Sequence, residues 1–167
     1  AILRGMEPDV AADCAAAIYA GGIRMFEIAL NSPAACQQIE RIRDRLPADA
    51  LVGAGTAITV KRAEEAVAAG ASFLLTPSVN RPILAYCQEN EIDLLPGVMT
   101  PSDVDLALSY GFHTLKLFPA GDLPMGYIKS LKGPFDGTEY VAVGGVNLEN
   151  IRAFFDHGFI GAGIGSA

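Results

Sequence analysis

The sequence predicts an α/β fold of the (β/α)8 TIM-barrel class, and three observations carry the prediction. Short β-branched or apolar runs alternate with alanine-rich amphipathic runs along the 167 residues, the pattern of βαβ units around a parallel sheet. Eight strand candidates begin near Ile2, Met25, Leu51, Phe73, Ile92, Thr114, Tyr140 and Ile160, spaced by roughly 19 to 26 residues, which is compact for one strand plus one helix. Seven helical runs fill the gaps, and several share one design of polar start and glycine stop.

In chain order, Ala1 to Arg4 form the first strand. The run "EPDVAADCAAAIYAGG" has proline near its start, alanine in its body and two closing glycines, as a helix requires. "RMFEIAL" supplies the second strand and "VGAGT" ends the third. "TVKRAEEAVAAGA", "TPSDVDLALSYGF" and "VNLENIRAFFDHGF" repeat the helix design, "HTLKLF" is the sixth strand, and "VAVGGVN" and "GAGIGSA" close the seventh and eighth. Glycines and prolines are spread evenly rather than gathered into a linker, so residues 1–167 read as one domain. The length is short for such a barrel. The chain opens on a strand and stops at Ser166 and Ala167 where an eighth helix would begin, so that helix is expected to be missing. A doubly wound open sheet would use the same strands but place its ligand at a switch in strand order.

Twelve basic and nineteen acidic residues give a net charge of −7, and the arginines form no stripe. Nucleic acid is therefore not an expected partner. No apolar run reaches the ~18 residues of a membrane span, and no signal-peptide layout opens the chain. These features predict a soluble cytoplasmic protein. Cys14, Cys36 and Cys87 lie far apart without C-x-x-C spacing and read as buried free thiols. With only His113 and His157 available, no metal site and no cofactor are expected.

Strand parity sorts the charges. In "RMFEIAL", Phe26, Ile28 and Leu30 share the face that helices cover, which turns Glu27 inward with Met25 and Ala29. In "HTLKLF", Leu115 and Leu117 face the helices and Lys116 points to the barrel axis. The second and sixth strands of an eight-stranded barrel lie opposite each other, so a glutamate and a lysine face one another across an apolar interior. Burying charges costs more than an ion pair usually returns, which favours a chemical role over a structural salt bridge. Desolvation leaves more of a lysine as the neutral, nucleophilic amine, able to form a Schiff base, and a nearby carboxyl can shuttle protons. Lys61, Lys129 and Lys132 sit at helix ends, where a solvated cation is ordinary.

Two sets of residues would hold an anionic substrate. Gly144 with Gly145, and Gly165 with Ser166, cluster where the seventh and eighth strands end, the place where barrels of this class hold phosphate on backbone N–H groups. Each glycine pair alone also reads as a tight turn. Arg4 ends the first strand and Thr56 the third. Both lie at the rim where substrates bind, and a guanidinium with a hydroxyl suits a carboxylate.

The ordered segments "AILRG", "FEIALNSP", "VGAGT", "LLTPSVN", "LLPGVMTPSD", "LKLFPA", "YIKSLKGPF", "VAVGGV" and "GAGIGS" resemble the class I aldolases that cleave 2-keto-3-deoxy-6-phosphogluconate and its galactonate epimer. The resemblance covers the whole chain. It implies a cytoplasmic homotrimer of (β/α)8 barrels in carbohydrate catabolism of the Entner–Doudoroff or galactonate kind. Such an enzyme splits a phosphorylated keto-deoxy sugar acid into pyruvate and D-glyceraldehyde 3-phosphate without a metal. By motif, Lys116 is similar to the Schiff-base lysine, Glu27 to the general acid/base and Thr56 to the contact for the pyruvate carboxylate, while Gly144, Gly145, Gly165 and Ser166 would capture phosphate. Gluconate-type members tend to carry an arginine shortly after the glutamate. This chain has Leu30, Asn31, Ser32 and Pro33 there, so it resembles the galactonate branch, with Arg4 taking over the carboxylate. A phosphosugar isomerase or synthase on the same barrel would need no inward lysine in the sixth strand. A non-catalytic phosphosugar-binding barrel would tolerate loss of Glu27 or Lys116.

Overall fold

The computed structural model of the chain describes residues 1–165. Its strands are β1 (Ile2–Leu3), β2 (Met25–Ala29), β3 (Leu51–Gly55), β4 (Leu74–Leu75), β5 (Leu94–Leu95), β6 (Gly97–Val98), β7 (Thr114–Leu117), β8 (Glu139–Val143) and β9 (Gly161–Gly163). Between them lie α1 (Pro8–Ala20), α2 (Ala35–Arg45), α3 (Val60–Ala68), α4 (Arg81–Glu89), α5 (Pro101–Ser109), α6 (Tyr127–Lys132) and α7 (Ile151–Asp156). Every strand pairing is parallel, with β1 to β5 in one sheet and β6 to β9 in another, each in sequence order. Among the described residues no switch in strand order occurs, which disposes of the doubly wound alternative.

The two sheets are one ring. At one junction the chain passes from β5 to β6 through Pro96, whose carbonyl accepts from Lys116 N at 2.9 Å. At the other, Ile2 N donates to Ile164 O at 2.8 Å. The expected fifth strand is thus present but interrupted, because proline has no N–H to give the ladder. The buried Thr76 hydroxyl accepts from Gly97 N at 3.1 Å and repairs the gap from the neighbouring strand end.

Helix ends follow the sequence signals, with corrections. Thr59 and Thr100 cap α3 and α5, Thr100 in a reciprocal box with Asp103. Glu7 makes no side-chain cap on α1, and Asn147 caps the turn leading into α7 by accepting from Glu149 N and Asn150 N. Gly22, Gly70, Gly111 and Gly158 follow α1, α3, α5 and α7 with φ near +100° to +83°, a conformation glycine takes without steric cost.

Between strands and helices lies the core. Phe26 and Ile28 pack with Ile39 and Ile42, while Leu115 and Leu117 pack with Tyr140 and Phe154. Each such side chain contributes about 1.5–3 kcal/mol when fully buried. Of the three cysteines only Cys87 is buried, and Cys14 and Cys36 are half-buried. Among the described residues no helix is long and apolar enough to cross a membrane.

Candidate active site

Phe26, Ile28, Leu115 and Leu117 lie in the cores shared with the helices, as the parity predicts, whereas Met25, expected inward beside Glu27, is exposed. Phe26 and Ile28 are fully buried outward, leaving Glu27 between them facing in, and Leu115 and Leu117 flank an inward Lys116. Glu27 and Lys116 are each 5% exposed. Register fixes their surroundings: Glu27 lies level with Ile2 and Gly53, and Lys116 with Gly97 and Val141. Small residues beside them leave room. A methyl group on Gly55 would overlap the Glu27 carboxylate, and one on Gly53 would strike the Phe73 ring. The two glycines of "VGAGT" are therefore there for the space their neighbours occupy.

Burial dominates the electrostatics. It pushes the Lys116 amine below its ordinary value of 10.5, against the Glu27 charge that raises it, with Arg4 adding to the depression. Burial also lifts the Glu27 carboxyl above 4.5, opposed by Lys116 and then by Arg4. Both shifts favour the neutral forms, so the amine becomes a nucleophile and the carboxyl a proton donor nearer neutrality. The Phe118 ring, with its centroid 5.2 Å from Lys116 Nζ, partly offsets the loss of hydration when the lysine is charged. The other lysines differ. Lys61 pairs with Glu65 in solvent and Lys132 reaches Glu139 and the Gly158 carbonyl.

At the rim, Arg4 is exposed and makes no hydrogen bond or ion pair among the described residues, yet its charge is felt by both Glu27 and Lys116. Thr56, just past β3, has φ 59°. A β-branched residue in that region is strained by of order 1–3 kcal/mol, and such strain gathers at working sites.

The two glycine loops follow neighbouring strands. Gly144 and Gly145 follow β8 with φ 88° and 73°, and Gly165 lies just past β9, which pairs with β8 through Val143 and Gly163. Gly121 N donates to Gly144 O at 2.8 Å, and Gly121 and Gly145 are packed backbone to backbone. Ser166 lies outside the described residues. Among the described residues no group of three or more His, Cys, Asp or Glu is arranged to hold a metal.

Reading by residue type alone passes over Ser32, Gln38 and Gly55. Ser32 and Gln38 hydrogen-bond the backbone of Gly5 and Met6, far away in sequence, and Gly55 makes room by what it lacks. Only the glycine-rich spelling of "VGAGT" hints at the last.

Comparison with known proteins converges on one family. The family model "Aldolase: KDPG and KHG aldolase" matches residues 1–167. The 2-dehydro-3-deoxy-6-phosphogalactonate aldolase of Escherichia coli (strain K12) is 36% identical, over 99% of this chain and 82% of its own length. The 2-dehydro-3-deoxy-phosphogluconate aldolase of Dickeya dadantii is 37% identical over 84% of this chain. This match spans only 66% of that relative's length. A crystal structure of the KDPG aldolase of Legionella pneumophila, with pyruvate captured at low pH as a covalent carbinolamine intermediate, superposes with a TM-score of 0.85. It is 32% identical and the match covers 96% of this chain and 81% of that one. With eight strand runs in a parallel ring, a lysine and a glutamate facing into it, and matches of this extent, the chain belongs to the KDPG and KHG aldolase family.

Proposed function

We propose that the chain is a class I aldolase that cleaves 2-keto-3-deoxy-6-phosphogalactonate to pyruvate and D-glyceraldehyde 3-phosphate, with Lys116 as the nucleophile and Glu27 as the acid/base group. The observation that carries this reading is the pair of inward charges on opposing strands, both held by burial toward their neutral forms.

The neutral Lys116 amine adds to the C2 ketone, and the neutral Glu27 carboxyl gives its proton to the carbinolamine hydroxyl, which leaves as water to give an iminium and the Glu27 carboxylate. The Glu27 carboxylate takes the proton of the C4 hydroxyl while the C3–C4 bond breaks. Its electron pair passes into the iminium, leaving an enamine, and the C4 oxygen becomes the aldehyde of the departing triose phosphate. Glu27 returns the proton to C3, and water releases pyruvate and the free amine. The iminium is the electron sink, so the sequence of steps calls for no metal and no cofactor. An isomerase or synthase would leave the buried amine without a task.

Arg4 and Thr56 would hold the C1 carboxylate, which explains a rim guanidinium without a protein partner. Gly144, Gly145, Gly165 and Ser166 would hold the phosphate. A homotrimer working in the cytoplasm is part of the same reading and rests on the family alone.

Comparative kinetics on the two epimers test the substrate. A higher kcat/KM for the galactonate compound is expected, and a clear preference for the gluconate compound would overturn that choice while leaving the mechanism standing. Arg4→Ala is expected to weaken pyruvate as well as full substrate, by roughly 1.5–3 kcal/mol for a charge-assisted hydrogen bond. Unchanged pyruvate affinity would remove Arg4 from the carboxylate site.

The phosphate loops are best probed at Gly165. Among the described residues the nearest atoms to an added methyl there belong to Ile2, from 3.4 Å, whereas Gly145 combines φ 73° with the Gly121 backbone at 3.0 Å. Gly165→Val is expected to weaken phosphorylated substrate about tenfold or more with little effect on pyruvate. Equal losses for both ligands, read by titration, would show a general distortion instead.

A further inference from the structure

We propose that Ser32 and Gln38 form a clip that positions Arg4 for the substrate carboxylate; this rests on the assignment of Arg4 to that group. The guanidinium has no partner of its own among the described residues, so its aim depends on the backbone that carries it. That backbone is held from the neighbouring loop. Gly5, with φ 68°, turns the chain directly after Arg4, and its N–H donates to Ser32 Oγ at 2.9 Å. One residue further, the Met6 carbonyl accepts from Gln38 Nε2 at 2.7 Å. The other hydrogen of the same amide goes to Pro33 O at 2.8 Å. One side chain thus ties the loop after β1 to the loop after β2, and Ser32 adds a second tie beside it.

Gln38 is a costly residue to keep for packing. It is fully buried in the first turns of α2, and its Oε1 has no hydrogen-bond partner. Both contacts of its nitrogen are carbonyl oxygens, so exchanging the amide's O and N would lose them. A buried acceptor left unpaired is destabilising, and Gln38 carries that cost at Oε1 while its nitrogen pairs the Met6 and Pro33 carbonyls. The amide is used for its two donors. Because α2 is a regular helix packed on the core, it gives the clip a rigid base, and rigid support is what a positioned binding group needs.

Cutting the clip should leave the chemistry intact and loosen the carboxylate. Gln38→Met and Ser32→Ala are expected to raise the KM of the sugar-acid substrate and the Kd of pyruvate about 3- to 30-fold, since small displacements of a binding group are expensive. kcat should change much less. Gln38→Met removes the orphan acceptor but also unpairs the Met6 and Pro33 carbonyls, so it should melt below the parent while staying folded, and Ser32→Thr, which keeps the hydroxyl, should restore affinity. In an Arg4→Ala background, neither Gln38→Met nor Ser32→Ala should weaken pyruvate further, because the group they position is gone. Unchanged Kd in both single variants, or losses fully additive with Arg4→Ala, would overturn the clip while Arg4 kept its role. An Arg4→Ala protein that binds pyruvate normally would overturn the carboxylate assignment and the clip together.

Discussion

Pyruvate and borohydride together are expected to add one pyruvyl group to the protein, and peptide mapping should find it on Lys116. Reduction freezes an imine as a secondary amine, so the label marks whichever lysine forms the imine. Only a neutral amine can do so. Lys116 has the means, because burial depresses it from 10.5 and no other described lysine shares that setting. Lys116→Met should abolish labelling and lower cleavage by on the order of 10⁴-fold or more, the scale of losing a covalent nucleophile. The fold should survive, since the substitution replaces a desolvated cation with an apolar side chain of similar length. Label on Lys61, Lys129 or Lys132 would displace the whole mechanism. A Lys116→Met protein with ordinary turnover would do the same.

Glu27→Gln is expected to lower cleavage by about 10²- to 10⁴-fold, the range for a positioned acid/base group, while imine trapping on Lys116 persists. The pH profile separates this role from a structural one. The Glu27 charge raises Lys116, so its removal should move the alkaline-favoured rise in imine formation to lower pH. A limb that stayed in place, or moved up, would show that the two groups do not interact.

Stability carries the same signs. The folded chain holds the Glu27 proton more tightly than the unfolded chain. That contribution is present below the ordinary 4.5 and lost as pH rises through the raised value. Lys116 behaves in the opposite sense: its contribution is present above 10.5 and lost as pH falls through the lowered value. Between the ordinary values of 4.5 and 10.5 burial of both groups costs stability. The Glu27→Gln/Lys116→Met double variant should therefore be at least as stable as the parent near pH 7, consistent with buried pairs whose removal is neutral or stabilising. A double variant that melts well below the parent would show that the pair holds the barrel together.

The alternation of strand and helix, and the parity that turns Glu27 and Lys116 inward, were legible because both depend on local periods along the chain. A strand changes face every residue and a helix every 3.6, and burial enforces those periods wherever a core exists. The glycines of "VAVGGV" were legible for a related reason, since few other residues accept the positive φ of Gly144 and Gly145. The break in the fifth strand at Pro96 was not anticipated from the sequence, and neither was its repair. The Thr76 hydroxyl that accepts from Gly97 lies 21 residues away and is brought there by register alone.

Sequence by itself determined the number of strand runs, their order, and which side chains face the barrel axis, because each is a consequence of neighbours in the chain. Tertiary structure decided what those side chains meet. It set Gly55 beneath the Glu27 carboxylate, placed Arg4 where both buried charges feel it, and joined the loops after β1 and β2 through Ser32 and Gln38. None of these contacts follows from a local period. They arise when parallel pairing fixes how far each strand is advanced against the next, and that advance is settled by packing over the whole ring.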